Sequence, residues 1–258
     1  MKIVVLVKEV PDTYGDRKLN LETGLADRAA SDTVLDEIGE RALEVALSYA
    51  DGHADTEVVV LSMSPESAAA TVRKGLAMGA SSAVQLVDDA LTGADLGLTA
   101  EALAATLQRI GFDLVLAGNE STDGSGGVLP AMIAELLDVP NATSLNSVEI
   151  ADGEVRGERA SDHGTMQVTA TLPAVISITE RLPDARFLNF KGIMAAKKKP
   201  FETLSLADIG VDADTAEASR SIMISLAEKP PRTAGTKIVD EGDAGERLAE
   251  YLVQNRLA

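Results

Sequence analysis

Residues 1–140 alternate short apolar runs with longer stretches whose apolar residues recur at helical spacing. The runs are rich in β-branched residues, which is typical of parallel strands buried on both faces. They predict strands over 3–7, 57–62, 83–87 and 113–117. The helical spacing predicts helices over 33–49, 65–78, 96–110 and 127–137. This alternation predicts a three-layer α/β fold, with a mostly parallel twisted sheet of Rossmann-like type.

After residue 140 the pattern changes to short strands separated by turns such as Asp152-Gly153 and His163-Gly164. It predicts strands over 147–150, 154–160, 165–170 and 174–177, a hairpin-rich addition to the sheet. Residues 181–203 look irregular and basic, 210–236 look like a polar linker, and 243–257 predict an amphipathic helix. We therefore expect one α/β domain over 1–205, followed by a linker and C-terminal arm over 206–258.

Composition fits a globular protein, with 45% hydrophobic and 25% charged residues. The sequence contains no cysteine and only two histidines, His53 and His163, which argues against thiolate or multi-histidine metal sites. A net charge of -18 argues against a nucleic-acid partner. The opening MKIVVLVKEV predicts a strand rather than a signal peptide, and no apolar run is long enough to span a membrane. A cytoplasmic location is expected.

A polar, glycine-rich loop follows the fourth predicted strand, within AGNESTDGSGGVLPAMIAE at 117–135. Ligands of open α/β sheets bind outside the carboxyl ends of the strands, and a following helix offers free N–H groups to a phosphate. The loop has neither a Walker nor a Rossmann glycine motif, and Glu120 and Asp123 would have to point away from any phosphate. A nucleotide site and a flexible surface loop both remain open.

A basic strip stands out in this acidic chain. Its charged residues are Arg181, Arg186, Lys191, Lys197, Lys198 and Lys199, and its apolar residues are Phe187, Leu188, Phe190, Ile193 and Met194. Apolar side chains interleaved with charges suit a docking loop, where one anchor fills a partner pocket and charges steer the encounter. A solvated charged face is the alternative interpretation, and nucleic-acid binding is the weaker one.

The remaining polar residues do not suggest catalysis. Glu40 and Glu44 are spaced four apart with Arg41 beside them, so we interpret them as a solvated helix face. His163 is expected in a turn and His53 in a solvated loop. Ser62, Ser64 and Ser125 have no plausible histidine partner. We predict no catalytic side chain and no metal site.

Six motifs in order resemble the β subunits of electron transfer flavoproteins. They are VKEVPDT at 7–13, LDEIGERALEVAL at 35–47, KGLAMGA at 74–80, DLVLAGNESTDG at 113–124, RLPDARFLNFKGIMAAKKKP at 181–200 and PPRTAG at 230–235. The chain departs from the family at Asp36, where Asn is frequent, and at Glu37, where Pro is frequent. The resemblance covers nearly the whole chain.

The resemblance implies that the predicted domain over 1–205 binds adenine nucleotide, with a structural AMP. The residues implied at the AMP site are Leu6, Asp36, Met63, Asp123, Gly124, Gly126, Gly127, Val128 and Leu129. It further implies an FAD shared with an α subunit, which the segments near Thr13 and Ile38 would approach. The C-terminal arm would pack on that α subunit.

The resemblance also implies an electron carrier without catalytic side chains of its own, serving fatty acid oxidation. Acyl-CoA or similar dehydrogenases would dock on a recognition loop over 181–199, and electrons would leave through a flavoprotein-quinone oxidoreductase. The implied docking residues are Arg186, Phe190, Lys191, Ile193 and Met194. Two alternatives remain open: a stand-alone nucleotide-binding stress or signalling protein, and a bifurcating flavoprotein subunit with a second FAD in place of AMP.

Overall fold

The computed structural model describes residues 1–15, 17–151, 153–213, 221, 223–235, 237 and 239–257. The chain forms two compact units, Met1–Ile224 and Ser225–Ala258. Asp152 of the predicted turn, and residues 214–220, 222 and 236 of the predicted linker, lie outside the described residues. Among the described residues, no helix is long and apolar enough to cross a membrane.

The described residues of the first unit form eleven strands. They are β1 (Lys2–Leu6), β2 (Glu9–Pro11), β3 (Thr33–Leu35), β4 (Glu57–Met63), β5 (Ser82–Leu86), β6 (Leu114–Gly118), β7 (Asn141–Ala151), β8 (Glu154–Ser161), β9 (Gly164–Thr171), β10 (Ala174–Ile178) and β11 (Phe201–Leu204). Nine of them form one sheet in the order β11-β5-β4-β1-β6-β10-β7-β8-β9. Pairing is parallel from β11 to β7 and antiparallel from β7 to β9. This arrangement confirms the predicted parallel sheet and the hairpins β7–β8 and β8–β9. The predicted strand 174–177 is not part of that addition, because it forms β10, which pairs in parallel with β6 and β7 inside the sheet.

Helices cover both faces of this sheet. In the described part of the first unit these helices are α1 (Glu37–Gly52), α2 (Ala69–Met78), α3 (Leu96–Ile110), α4 (Leu129–Leu137), α5 (Phe190–Ala196) and α6 (Leu206–Ile209); the second unit contains α7 (Ala244–Gln254). Alternate residues of β1 enter different apolar layers: Ile3 and Val5 pack with residues of α1 and α2, whereas Val4 packs with residues of α3 and α4. The two-residue period of a strand thus divides the aliphatic core between two helical layers and confirms the three-layer fold.

The first predicted helix begins too early. Residues Thr33–Leu35 are not helical but form β3, which pairs antiparallel with β2. The helix starts only after Asp36, which takes the N-cap position with an extended backbone. The apolar residues of β3 happen to match the helical spacing of the residues that follow them. The pattern alone therefore predicted that the helix begins at residue 33.

The segment 181–203, expected to be irregular, contains regular structure. It carries α5, and it ends in β11, which pairs in parallel with β5 at one edge of the sheet. Ala196 of α5 is buried in the same apolar layer as α1 and α2. The segment is therefore part of the first unit's core architecture on that face, and not only a surface loop.

The second unit contains the helix α7. Helix α7 has no buried residue, and its apolar side chains Leu248, Tyr251 and Val253 are exposed. Leu248 and Tyr251 lie three residues apart and so share one hydrophobic stripe of the helix, whereas Val253 lies off it. The predicted amphipathic helix is therefore present, with slightly narrower bounds than the expected 243–257.

Candidate functional site

Three parallel strands end at one edge of the sheet and support the glycine-rich loop. Strand β1 lies between β4 and β6, with Val5 level with both Val60 and Leu116. Leu6 and Met63, at the ends of β1 and β4, are half-buried against the apolar layer that Leu129 of α4 also contacts. The structure thus brings together three of the residues predicted at the nucleotide site, on one face of the sheet.

Asp36 joins the start of α1 to this loop. Its side chain is 2% exposed, and its Oδ2 accepts the backbone N–H of Thr122 at 3.0 Å. Burial raises the pKa of Asp36, and the negative charge of Asp123 raises it further. Two buried oxygens here, Asp36 Oδ1 and Thr122 Oγ1, have no hydrogen-bond partner among the described residues. Unpaired buried polar atoms are costly, so they are a natural place for ligand contacts.

The charge of Asp123 is matched by two cations. Lys8 Nζ donates to Oδ1 at 2.7 Å and Arg28 Nη2 donates to Oδ2 at 3.1 Å, while Arg17 donates to the neighbouring carbonyl of Thr122. Burial alone would raise the pKa of Asp123, but the hydrogen bond and charge of Lys8 outweigh it and the pKa is lowered. The negative charge that stood against a phosphate in this turn is therefore neutralised.

Backbone donors are available where the loop enters α4. The N–H groups of Gly124 and Ser125 are used within the loop, by Asp123 Oδ1 and by the Ser121 carbonyl. Those of Gly126, Gly127, Val128 and Leu129 have no acceptor in the described part of the chain, and no side chain caps α4. Consecutive free N–H groups at a helix N-terminus suit an anion. Of the predicted contacts in this turn, Gly124 is thus one whose N–H is already used within the loop.

Glycine is required at the entrance to this helix. Gly127 has a φ of +67°, and a Cβ there would lie 3.2 Å from Oε1 of Glu120. The Glu120 side chain is exposed and therefore free to turn away, which it must do before a phosphate approaches. Once the Glu120 side chain has turned away, the apolar strand ends, the unpaired oxygens and the free N–H groups are compatible with a nucleoside monophosphate.

The two residues predicted near the flavin lie on different elements. Ile38 is half-buried in the first turn of α1 and packs over Gly118, where a Cβ would lie 2.5 Å from its Cγ2. Thr13 is exposed in the turn after β2, next to the fully exposed Tyr14. No hydrogen bond joins Thr13 and Ile38 within the described residues. Their role in flavin binding stays a prediction.

The predicted docking residues are largely at the surface. Phe190 begins α5 and is 78% exposed, Phe187 is 97% exposed, and Ile193 and Met194 are partly exposed. Lys191 is exposed beside them. The side chain of Phe190 therefore does not fill this unit's core. The apolar side chains of the basic strip remain available to a partner.

Arg186 of this region forms an ion pair with Glu44 of α1, which the sequence did not predict. Arg186 is held by Glu44, with Nε to Oε2 at 2.8 Å, and by Asp51 at 2.9 Å. The interpretation of Glu44 as a solvated helix residue is therefore wrong. Burial raises the pKa of Glu44, but hydrogen bonds from Arg186 lower it overall.

Sequence reasoning also missed Lys8, Arg17 and Arg28 at the glycine-rich loop, because their partners are about a hundred residues away.

Among the described residues, no group of three or more acidic or histidine side chains could hold a metal ion. His53 stacks on Tyr49 with 3.9 Å between ring centroids, and its Nδ1 contacts the Tyr49 carbonyl. Ser62 and Ser64 hydrogen-bond to each other at 3.1 Å, and Gln85 donates to Ser64. The side chains of His53, Ser62 and Ser64 are therefore all engaged in contacts with neighbouring residues of α1 or of the sheet.

Comparison with known proteins gives a consistent family. A family profile described as "Electron transfer flavoprotein domain" matches residues 23–209. "Electron transfer flavoprotein subunit beta" of Mycobacterium leprae (strain TN) is 48% identical over 263 residues, covering 99% of this chain and 98% of the relative. The protein of the same description from Mycobacterium tuberculosis (strain ATCC 25618 / H37Rv) gives the same identity and coverage. "Caffeyl-CoA reductase-Etf complex subunit CarD" of Acetobacterium woodii is 32% identical, covering 93% of this chain and 92% of the relative.

Proposed function

The chain belongs to the electron transfer flavoprotein family as a relative of its beta subunits, and from this premise we propose that it is the β half of a two-chain electron carrier. It binds AMP as a structural ligand and completes an FAD site with an α subunit. Dehydrogenases dock on its exposed apolar segment, and electrons pass through the flavin to a quinone-linked acceptor. The match to β subunits over 99% of the chain favours this function over a stand-alone nucleotide-binding protein.

The loop between β6 and α4 is the observation that carries the nucleotide proposal. Leu6 and Met63 offer apolar contacts to a base, and the unpaired Oδ1 of Asp36 offers a hydrogen-bond acceptor. The free N–H groups from Gly126 to Leu129 offer donors to a phosphate, reinforced by the positive end of the α4 dipole. Together they supply one type of contact for each part of a nucleoside monophosphate.

The flavin supplies the redox chemistry when bound, and this chain contributes binding and orientation. Ile38 would present an apolar surface held in place by its contact with Gly118. Thr13 would reach the flavin from the exposed turn after β2. Neither side chain titrates near neutral pH, so the proposal assigns them contact and no proton transfer.

The AMP placement is tested with Gly127→Asp. The new carboxylate would stand beside the phosphate position at a backbone φ of +67° and oppose the helix dipole, so bound AMP should be lost. Gly210→Asp is the matched control, because Gly210 also has positive φ, at +69°, but nothing within 4 Å of its Cβ position. Mass spectrometry of denatured protein should find AMP in wild type and Gly210→Asp but not in Gly127→Asp. Equal AMP in all three would refute the placement.

The shared flavin is tested by adding FAD to the isolated chain and to the chain with its α partner. Tight binding is expected only with the partner, since this sequence has no dinucleotide fingerprint of its own. Isothermal titration measures both. Stoichiometric FAD binding by the isolated chain, competing with AMP, would instead support the bifurcating alternative with a second FAD.

A further inference from the structure

Residues 186–199, here called the docking segment, combine exposed apolar side chains with firmly held ends. Phe187 is almost fully exposed, and Phe190 is largely exposed. The segment that carries them is nevertheless held to α1 through its backbone at the start, to α2 by close backbone packing at the middle, and to α2 through the Lys199 side chain at the end. An exposed anchor on a fixed backbone differs physically from an anchor on a mobile loop, because a fixed anchor has less freedom to lose on binding.

The first attachment is Arg186 on α1. Its guanidinium makes two hydrogen bonds to Glu44, at 2.8 and 2.9 Å, and one to Asp51 at 2.9 Å, while its backbone N–H donates to Glu44 Oε2 at 3.0 Å. The hydrogen bond to Glu44 raises the pKa of Arg186. Three of the five N–H donors of this guanidinium are therefore committed to α1, which ties the start of the segment to that helix.

The middle of the segment is fixed by close backbone packing. Asn189 caps α5, with Oδ1 accepting the N–H of Gly192 at 2.8 Å. Gly192 lies so close to the end of α2 that a Cβ there would stand 2.3 Å from the Ala77 carbonyl oxygen. No side chain larger than hydrogen fits this contact, so α5 rests directly on the α2 backbone.

The last attachment is Lys199 at the C-terminal end of α2. Its Nζ donates to the carbonyls of Leu76, Gly79 and Ala80 at 3.1, 3.0 and 2.6 Å. Burial lowers the pKa of Lys199. A helix C-terminus carries partial negative charge on its unpaired carbonyls, which a lysine stabilises. Lys197 and Lys198, by contrast, are exposed and have no ion-pair partner among the described residues.

We propose that Arg186 and Lys199 are positioning residues that hold the docking segment as a preformed platform, and that neither contacts the partner. The inference rests on the proposed docking of a dehydrogenase on this segment. It divides the basic strip by role: Arg186 and Lys199 fix the backbone, whereas Lys191, Lys197 and Lys198 face solvent and steer the encounter. Loss of an attachment would lower the fraction of molecules with a competent segment and weaken apparent affinity by the same factor.

The test uses Lys199→Met in the complete two-chain flavoprotein. Methionine keeps the apolar stem and removes the three donors, so the α2 attachment is lost without adding bulk. Lys197→Met and Lys198→Met are the matched controls. We expect faster amide hydrogen exchange over 187–196 and about tenfold higher KM for the dehydrogenase, which corresponds to a competent fraction of roughly a tenth, with kcat unchanged.

Salt dependence separates positioning from partner contact. Lys199→Met should keep most of the wild-type slope of association rate against ionic strength, because the carbonyls at the end of α2 already offset the charge of the Lys199 ammonium. The two controls should show wild-type exchange and a shallower slope, since exposed charges act through screened long-range attraction. Unchanged exchange in Lys199→Met, or a slope as shallow as in the controls, would overturn the proposal.

A double-mutant comparison tests the other attachment. Glu44→Gln, Arg186→Gln and the double variant remove one side or both sides of the same contact. If Arg186 acts through Glu44, the double variant should exchange no faster than the worse single variant. Additive effects would show that Arg186 acts elsewhere. Phe190→Ala checks the underlying function separately: unchanged electron transfer there would remove the docking role while leaving the exchange results intact.

Discussion

At the residue scale, two carboxylates beside the same loop respond to their surroundings in opposite ways. Asp36 is buried beside another negative charge, and these two causes raise its pKa. Asp123 is also desolvated, but Lys8 and further hydrogen bonds to its oxygens lower its pKa overall. Environment therefore decides which carboxylate resists ionisation. This contrast predicts two different pH dependences of stability.

Asp36→Asn should gain stability relative to wild type as pH rises. Because the folded-state pKa of Asp36 is raised, wild type loses stability as pH increases from the ordinary value of 3.8 through that raised pKa. Asparagine has no such loss, and its amide oxygen still accepts the Thr122 N–H. Urea unfolding from acid to neutral pH should show the difference growing across this window and then levelling off. A difference independent of pH would contradict the buried-charge explanation.

Asp36→Ala isolates the hydrogen bond instead of the charge. It leaves the Thr122 N–H without an acceptor, whereas the Asp36 side chain makes no cap hydrogen bond to α1 that could be lost. The expected loss is about 1–2 kcal/mol of unfolding free energy. Comparing Asp36→Ala with Asp36→Asn at one neutral pH checks this. Equal stability of the two variants would mean that the Thr122 contact contributes little.

Asp123→Asn should show the reverse pH dependence. The folded-state pKa of Asp123 lies below 3.8, so the stability from its ion pairs is complete above that pH and is lost as pH falls through the lowered value. Lys8 and Arg28 are 43% and 37% exposed, so screening limits the neutral-pH cost to about 1 kcal/mol. The variant should approach wild type in strong acid. Persistence of the full difference in strong acid would exclude this mechanism.

At the element scale, the hairpin β7–β8 depends on one glycine. A Cβ at Gly157 would lie 2.3 Å from the Ser147 carbonyl oxygen, where the β7–β8 register shifts between Leu145 and Ser147. Gly157→Ala should therefore push the strands apart and cost about 1–3 kcal/mol. Gly52→Ala at the end of α1 is the control, since nothing lies within 4 Å of its Cβ position. Thermal unfolding of both variants tests the contact. Equal melting temperatures would show that the bulge absorbs the methyl group.

Elements with strong periodicity could be predicted from the sequence, and those defined by distant partners could not. Helix α3 has the predicted bounds, since Asp95 and Gly111 flank an unbroken apolar stripe. Strand β11 has only four residues and is a strand because β5, over a hundred residues earlier, supplies its hydrogen bonds. Helix α5 owes its place to Gly192 on the α2 backbone. No local pattern carries such information.

The features of the candidate site likewise divide into those that could be predicted from the sequence and those that could not. The glycine-rich loop follows β6 in sequence, so its position at the sheet edge could be predicted from the order of strands alone. The pairing of Asp123 with Lys8 spans 115 residues and that of Arg186 with Glu44 spans 142. Charge pairs of this separation depend on the assembled fold. A prediction made from short windows of the sequence therefore treats each residue of such a charge pair as solvated.

At the scale of the whole molecule, the second unit offers an apolar helix surface. Helix α7 buries no residue, and Leu248 and Tyr251 lie three apart on its exposed stripe. If this arm packs on the α subunit, Leu248→Asp with Tyr251→Asp should weaken association by at least about 2 kcal/mol while leaving the melting temperature of the isolated chain unchanged. Replacing exposed Glu250 with Gln is the control. Titration calorimetry with the α subunit measures the effect. Full affinity in the double variant would place the contact elsewhere.

The order in which β11 joins the sheet matters during protein synthesis. Strand β5 has no partner at its outer edge until β11 has left the ribosome, about 115 residues later. At usual elongation rates of 5–20 residues per second, the edge of β5 stays open for roughly 6–23 seconds. Strand β5 carries no charged residue that would protect its edge, and open edges of this kind recruit other nascent chains. Slow translation or chaperone shortage should therefore lower the yield of this subunit more than its final stability suggests.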